Sequence, residues 1–159
     1  MSGGTHRYHL TTTWTGNLGT GTSGYRAYSR NYEVFVAGKS EPLQGSSDAV
    51  FRGDPARYSP EELLLASLSA CHMLWFLHLC ADAGIIVVNY ADAALGEMAE
   101  NSDGSGQFVE VVLQPSVTIQ DEGRLPELAT LHDKAHEMCF IARSVNFPVR
   151  VQPAARAAS

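Results

Sequence analysis

Apolar and polar residues alternate along the first third of the chain, which is the pattern of β-strands that bury one face. The alternation runs through residues 8–14 and returns at residues 32–36. Between them lies a Gly- and Thr-rich stretch, residues 15–24, which is typical of a loop. A further short strand is predicted at residues 49–51. This part of the chain is therefore expected to be mainly β-structure.

A long apolar segment follows, and its ends carry helix signals. Ser59 can cap the helix, Pro60 suits the first helical position, and Glu62 completes a capping box with Ser59. Gly84 is a natural stop, which predicts a helix over residues 60–83. Because this helix is apolar on every side, it is predicted to be the central buried element of a soluble protein rather than a membrane span.

The second half of the chain contains both the alternating pattern of strands and the helical spacing of apolar residues. Residues 85–88 are β-branched, and residues 109–119 place apolar side chains at odd positions, so two strands are predicted. The turn between these strands is assigned to residues 101–106. Helical spacing predicts a second helix over residues 127–144, and residues 147–151 alternate as a closing strand.

The order of elements predicts an α+β fold with a mostly antiparallel sheet. A length of 159 residues suits one domain, spanning residues 1–159, and can bury a core without metal or disulfide support. The tail, residues 153–159, is predicted to be disordered.

Charge and composition narrow the function classes. The net charge is −6, and the 11 Lys and Arg residues are scattered, so neither nucleic-acid binding nor binding to an anionic membrane is expected. The N-terminal residues contain no apolar core of a signal peptide, and a cytoplasmic location is expected. Three cysteines are too few, and odd in number, for a structural disulfide framework.

The cysteines are the first chemical candidates. Cys71 and Cys139 fall in different predicted helices. Cys80 is nine residues beyond Cys71, which turns it to the opposite side of that helix and predicts a core position. From the residues alone, Cys71 and Cys139 are either inert core thiols or reactive ones. Reactivity would require a nearby cation that stabilises the thiolate.

The other candidates are an acid and a group of histidines. Glu61 lies ten residues before Cys71, about 15 Å along one helix, so the two could cooperate only across a partner subunit or a helix break. His132, His136 and Cys139 follow a spacing that can hold zinc, although hydrogen-bonded histidines are the simpler interpretation. His72 points about 100° away from Cys71 and is a poor base for it.

Two segments together resemble a known family. The run Ser-Pro-Glu-Glu-Leu-Leu-Leu-Ala-Ser-Leu-Ser-Ala-Cys, residues 59–71, resembles the Pro-Glu-(Glu/Gln)-Leu…Ala-Cys signature of the OsmC/Ohr family. These are the osmotically inducible protein C and organic hydroperoxide resistance proteins. Ala-His-Glu-Met-Cys, residues 135–139, is similar to the family's second cysteine segment. The order of elements agrees from Trp14 to Val151.

The resemblance implies an OsmC-like fold that forms an intertwined homodimer, with active sites at the subunit interface. It implies a peroxidase that reduces organic hydroperoxides, with Cys71 as the attacking thiol and Cys139 as the resolving thiol. An external dithiol, such as a lipoylated protein, would reduce the resulting disulfide. The resemblance requires no metal and no organic cofactor.

The resemblance also implies an ion pair beside the attacking thiol. Glu61 matches the glutamate that holds an arginine near the thiolate in this family. Arg52 is the best match for that arginine, and Arg30 and Arg57 are the alternatives, because the branches of the family take it from different segments. The branch to which this chain belongs stays open.

Two other functions remain as alternatives. One is a non-enzymatic dimer of the same fold that binds a hydrophobic ligand and keeps both thiols inert. The other is a metal-dependent hydrolase that uses His132, His136 and Cys139 as ligands. Rapid reaction of Cys71 with peroxide separates the first alternative from the peroxidase, and bound zinc would favour the second.

Overall fold

The computed structural model describes residues 3–159, which form two α-helices and nine strands. The chain comprises two compact units, Met1–Leu63 and Leu64–Ser159. The N-terminal unit holds one antiparallel sheet in the order β1-β2-β3. Its strands are β1 (Thr11–Trp14), β2 (Tyr32–Phe35) and β3 (Leu43–Gly45). The two strands expected from alternation at residues 8–14 and 32–36 are thus present, each shorter than predicted.

The segment after β3 differs from the sequence prediction. Ala49–Phe51, expected as a strand, is a short 3-10 helix. The reason is local, because the amide of Val50 donates to Asp48 Oδ1 at 2.8 Å and caps the turn. The turn ends at Arg52, whose φ of 65° lies in the left-handed region.

The first helix, α1 (Pro60–Asp82), begins and ends as the sequence predicts to within one residue. The capping box is confirmed, since Ser59 N–H donates to Glu62 Oε2 at 2.9 Å and Glu62 N–H donates to Ser59 Oγ at 3.2 Å. At the far end, Gly84 takes a φ of +69°, and the Ile85 amide donates to the Cys80 carbonyl at 2.8 Å. This pattern closes the helix as a Schellman motif.

Within one chain, α1 buries a single stripe rather than its whole circumference. The buried residues recur every fourth position and are Leu68, His72, Phe76 and Cys80. On another side, Leu74 is 62% exposed. The predicted central helix is therefore buried along one side within the single chain. By length and composition α1 could cross a membrane, but core helices of soluble proteins pass the same test.

The C-terminal unit contains two three-stranded sheets, ordered β4-β7-β9 and β5-β6-β8. Pairs β4·β7 and β5·β6 are antiparallel, and pairs β6·β8 and β7·β9 are parallel. With the N-terminal sheet, four of the six pairings are antiparallel, so the predicted α+β class and its mostly antiparallel pairing are confirmed. The strands are β4 (Val87–Asp92), β5 (Leu95–Glu100), β6 (Gly106–Leu113), β7 (Pro115–Ile119), β8 (Val149–Val151) and β9 (Ala154–Ala157).

The strand predicted over residues 109–119 is in fact two strands in different sheets. The break falls at Gln114, whose amide donates to Asp92 Oδ1 at 2.6 Å instead of joining a ladder. Strand β5 was missed, and the predicted turn at residues 101–106 joins β5 to β6. The tail is not disordered, because β9 pairs in register with β7 from Ser116↔Ala154 to Ile119↔Ala157.

The second helix is shorter than predicted. Helix α2 (Leu128–Met138) ends before Cys139, and a separate 3-10 turn covers Ala142–Ser144. Cys139 therefore lies just past α2 in an extended conformation, with φ −67° and ψ 110°, and not inside a helix. The main core cluster joins α1 and α2 to the sheets, and its buried members are Phe76, Cys80, Ile85, Val117, Ile119, Leu128 and Ala135.

Candidate functional site

Cys71 lies midway along α1 and is half-buried. Its side chain lines a pocket of about 520 Å³. The wall is largely apolar and consists of Ser67, Ala70, Cys71, Leu74, Trp75, His78 and Phe140. Trp75 and Phe140 meet edge to face, with ring centroids 5.9 Å apart. The thiol thus faces a space that suits an organic molecule.

Cys139 is buried, with 1% of its surface exposed. Its amide donates to the His136 carbonyl at 3.3 Å, which ends α2. The amide of Ala142 in turn donates to Cys139 Sγ at 3.4 Å. A backbone donor aimed at sulfur favours the thiolate and partly opposes the effect of burial.

The two thiols are neighbours, because Cys71 lies close enough to Cys139 to raise the pKa of its thiol. Burial raises the pKa of Cys139 to about 11, with the Ala142 amide lowering it and Cys71 raising it further. Cys139 is therefore a protonated thiol at neutral pH. Both cysteines are free thiols in the structure. Chemically, two adjacent thiols beside an open pocket can form a disulfide.

The third cysteine behaves as the sequence predicts. Cys80 is 1% exposed and belongs to the main core cluster. Burial raises the pKa of its thiol to about 11. Cys80 is thus a core residue.

The acid and the three candidate arginines lie in the N-terminal unit. Glu61 Oε2 is buried and has no hydrogen-bond partner among residues 3–159. Arg57 pairs with Asp54 at 3.7 Å. Arg30 donates to the carbonyls of Tyr25 and Tyr28, at 2.7 and 2.8 Å.

Arg52 is held less tightly than its two rivals. Its guanidinium lies 6.0 Å from the ring centroid of Tyr25, and within the described chain its side chain makes no hydrogen bond or ion pair. None of the three arginines contacts Glu61 in this part of the chain. The ion pair implied by the resemblance is therefore not formed within the single chain.

The histidines form a buried pair rather than a metal cluster. His72 Nε2 and His132 Nδ1 share a hydrogen bond of 3.0 Å, and the rings are parallel to within 4°. Burial lowers the pKa of each ring to about 4, so both are neutral at pH 7. Among residues 3–159 no three His, Cys, Asp or Glu side chains are grouped to hold a metal, so the geometry needed by the hydrolase alternative is not formed.

Several features of the site have no clear signal in the sequence. The pocket wall at Phe140 and the amide of Ala142 depend on α2 ending at Met138, and no Gly or Pro follows Met138 closely enough to mark that end. The His72–His132 contact joins positions 60 residues apart. Helical spacing could predict that His72 lies on the buried stripe with Phe76, but not which residue it meets.

Known proteins resemble this chain over most of its length. An OsmC-like protein of unknown function from Vibrio cholerae is 31% identical, with a TM-score of 0.83 over 94% of this chain and 99% of that chain. An organic hydroperoxide resistance protein from Elizabethkingia anophelis is 16% identical, with a TM-score of 0.67 over 98% of this chain and 99% of that one. The organic hydroperoxide resistance protein OhrB of Bacillus subtilis is also 16% identical, with a TM-score of 0.60 over 95% and 98%.

The two latter similarities show a shared fold only. No curated protein matches the chain. The family described as OsmC-like protein, however, matches residues 53–154, a segment that includes α1, α2, Cys71 and Cys139. With this match over most of its length, the chain belongs to the OsmC-like protein family.

Proposed function

We propose that this protein is a thiol-dependent peroxidase that reduces organic hydroperoxides to alcohols. The observation that carries the proposal is the proximity of Cys71, half-buried at an apolar pocket, to the buried Cys139. Organic hydroperoxide resistance proteins from E. anophelis and B. subtilis share the fold, which supports the same substrate class. A pocket of about 520 Å³ with an apolar wall suits an organic hydroperoxide better than hydrogen peroxide.

The reaction has two chemical steps. The Cys71 thiolate attacks the terminal oxygen of the hydroperoxide, the O–O bond breaks, and the alkoxide leaves and takes up a proton to become the alcohol. Cys71 becomes a sulfenic acid. Cys139 sulfur then attacks the Cys71 sulfur, the S–O bond breaks, and the thiol proton leaves with hydroxide as water. The product is a disulfide between Cys71 and Cys139.

A dithiol restores the enzyme by exchange with this disulfide. Either thiol of the reductant must approach through the pocket, because Cys139 itself is 1% exposed. A lipoylated protein carries a dithiol on a long flexible arm and fits this requirement. The cycle needs no metal or bound organic cofactor.

Arg52 and Glu61 complete the proposed site. The left-handed backbone of Arg52 is a strained conformation, which is often retained where a side chain has a functional position. Its guanidinium has no ion-pair partner within the described chain, and neither does the buried Glu61 carboxylate. We assign Arg52 to stabilise the Cys71 thiolate and Glu61 to hold Arg52, with Arg30 and Arg57 as the rival arginines.

A homodimer is part of this proposal. Helix α1 is apolar on every side, yet only one stripe is buried within the chain. Leu74 and Phe140 are 62% and 61% exposed beside the pocket. A second copy that packs on this side would bury both and could supply the arginine or the acid from its own N-terminal unit. We place the dimer in the cytoplasm, where reductants keep cysteines free.

A thiol titration before and after one equivalent of cumene hydroperoxide tests the proposal. We expect loss of two thiols per chain within seconds and one equivalent of alcohol. The Cys71→Ser variant should lose none, and the Cys80→Ala variant should behave as the parent. If thiols persist for minutes, the peroxidase proposal is wrong, and the apolar pocket favours the second candidate, a dimer that binds a hydrophobic ligand.

A further inference from the structure

A buried pair of imidazoles joins the two helices that position Cys71 and Cys139. His72 is 0% exposed and His132 is 2% exposed, and the peroxidase chemistry uses neither. His72 follows Cys71 on α1, whereas His132 lies on α2, seven residues before Cys139. Helix α1 therefore carries one thiol and one histidine, and α2 carries the other histidine and ends one residue before the other thiol.

The His72–His132 bond is the one side-chain hydrogen bond that joins α1 to α2 in the described residues. The His132 ring is also held from a second direction, because Phe76 stacks on it with centroids 3.9 Å apart and planes 11° from parallel. His72 and Phe76 are one helical turn apart on the buried stripe of α1. His72 therefore bonds to the edge of the His132 ring, and Phe76 packs against its face.

This arrangement costs stability if it serves packing alone. His72 Nδ1 and His132 Nε2 are buried and have no partner among residues 3–159. An apolar pair of similar volume would leave no such atoms, and each buried polar atom without a partner lowers the stability of the folded state. A hydrogen bond is directional, because the N–H group and the acceptor must align, whereas an apolar contact is not. Buried polar pairs can therefore select one register between packed helices.

The neutral state of both rings is required for this bond. One ring donates its N–H and the other accepts with its bare nitrogen, so protonation of the acceptor would turn it into a second donor and break the bond. Burial lowers the pKa of both histidines to about 4, which keeps both rings neutral over the physiological range. The bond is therefore present throughout the conditions in which a cytosolic peroxidase would work.

We propose that His72 and His132 are positioning residues that hold α1 against α2 and so keep the Cys71 and Cys139 thiols within disulfide range. Their contribution is to the second chemical step, closure of the disulfide, and not to the attack on peroxide. Closure depends on the effective concentration of one thiol at the other, which a fixed helix register raises. The inference rests on the proposed Cys71–Cys139 pair, although not on the identity of the oxidant.

The test is the reduction potential of the Cys71–Cys139 disulfide, measured in glutathione redox buffers at pH 7 with the disulfide mapped by mass spectrometry. We expect His72→Leu and His132→Leu each to lower the effective concentration at least tenfold, which raises the potential by about 30 mV for this two-electron couple. The double Leu variant should lose no more than either single variant, because either change removes the same bond.

Two further variants separate positioning from stability. The double variant His72→Gln with His132→Asn places amide groups at the former Nε2 and Nδ1 positions. It should restore the effective concentration of the thiols to within about threefold of the parent value. Leu68→Ala removes core packing from the same stripe of α1 and should lower the unfolding free energy without a shift in potential. A potential unchanged in both single Leu variants, or shifted equally in Leu68→Ala, would overturn the proposal.

If the Leu variants fail to fold, the Gln/Asn variant still tests the proposal. An effective concentration tenfold or more below that of the parent would contradict it. The glutathione measurement contains no hydroperoxide. Failure of the peroxidase proposal would appear as absent hydroperoxide consumption with a normal disulfide potential. Failure of the positioning proposal would appear as normal potentials in the histidine variants, whatever the peroxidase result.

Discussion

Cys71 lies close enough to Cys139 to raise the pKa of the Cys139 thiol, although one lies within a long helix and the other just past the end of a short one. Their environments differ. Cys71 opens onto a pocket, whereas Cys139 is enclosed and has its pKa raised by burial to about 11. This asymmetry supports the proposed roles, in which Cys71 attacks the substrate and Cys139 resolves the product, as the family resemblance implies.

Replacement of single cysteines should separate the two steps. Cys71→Ser removes the nucleophile and should abolish hydroperoxide consumption. Cys139→Ser should reduce one equivalent of hydroperoxide and then stop at a Cys71 sulfenic acid, because no neighbouring thiol remains to condense with it. Dimedone labelling followed by mass spectrometry measures the stalled species. Continued turnover of Cys71→Ser in the presence of a dithiol would contradict the assignment.

Arg52 should govern the first step. Arg52→Ala is expected to slow the reaction of Cys71 with tert-butyl hydroperoxide by on the order of tenfold or more, because a lost cation destabilises the thiolate. Arg57→Ala and Arg30→Ala are matched controls and should react nearly as fast as the parent. Arg57 pairs with Asp54, and Arg30 donates to the Tyr25 and Tyr28 carbonyls. Stopped-flow kinetics measure the rate, and a large loss in a control instead of Arg52→Ala would reassign the arginine.

Phe140 should contribute to substrate choice. Its ring forms one wall of the pocket and packs edge to face on Trp75. Phe140→Ala is expected to raise the KM for cumene hydroperoxide by roughly 5- to 30-fold, for a loss of about 1–2 kcal/mol of apolar contact. The rate with hydrogen peroxide should change less than twofold, because this molecule is too small to contact Phe140 while it reacts with Cys71. Equal losses with both substrates would mean that Phe140 supports the site and not the substrate.

Stability should fall on acidification through the buried imidazoles. His72 and His132 have folded-state pKa values near 4, below their usual 6.5, so between these values the unfolded chain binds protons that the folded chain does not. Their contribution is complete above about pH 6.5 and is lost as the pH falls toward 4. His136 and Asp92 also face His72 and act in opposite directions, the first lowering and the second raising its pKa.

Urea unfolding at pH 4.5, 5.5 and 7 measures this dependence. The variant with His72→Gln and His132→Asn should show a flatter profile, whereas His9→Gln, a change at an exposed position, should leave the slope unchanged. A parent profile as flat as that of the double variant would show that the buried rings do not control the pH dependence.

The start of α1 should be sensitive to its cap. Ser59 is buried and exchanges two hydrogen bonds with Glu62, so Ser59→Ala is expected to lower the unfolding free energy by about 1 kcal/mol. Ser59→Thr keeps a hydroxyl oxygen and should retain most of the stability. Chemical denaturation at pH 7 compares them, and equal stability of the Ala and Thr variants would show that the cap contributes little.

The fold class and the first helix could be predicted from the sequence because their signals are local. A capping box, a terminal glycine and alternating residues act within a few positions, and α1 begins and ends within one residue of its predicted limits. The strands from residue 87 onward were harder to predict. The break at Gln114 depends on a hydrogen bond to the carboxylate of Asp92. Strand β5 is exposed along its length, so its sequence lacks the alternation of apolar and polar residues that marks a half-buried strand.

The site was predictable mainly by resemblance. Nothing local indicates that Cys71 and Cys139 are neighbours, because their proximity depends on how α1 and α2 pack. The 3-10 turn after Cys139 also continues the apolar pattern of α2, so the sequence predicts one helix through both. The same long-range dependence explains why the His72–His132 pair was not anticipated.

The last strand has a consequence for engineering. Strand β9 covers one side of β7, whose Val117 and Ile119 are fully buried. Removal of the residues beyond Pro153 would leave the backbone amides and carbonyls of β7 open, next to apolar side chains, as a template for pairing with another chain. β9 is only four residues long and carries Arg156, two features that discourage such aggregation. The C-terminal segment thus covers the edge of β7, and an affinity tag should follow it through a flexible linker rather than replace it.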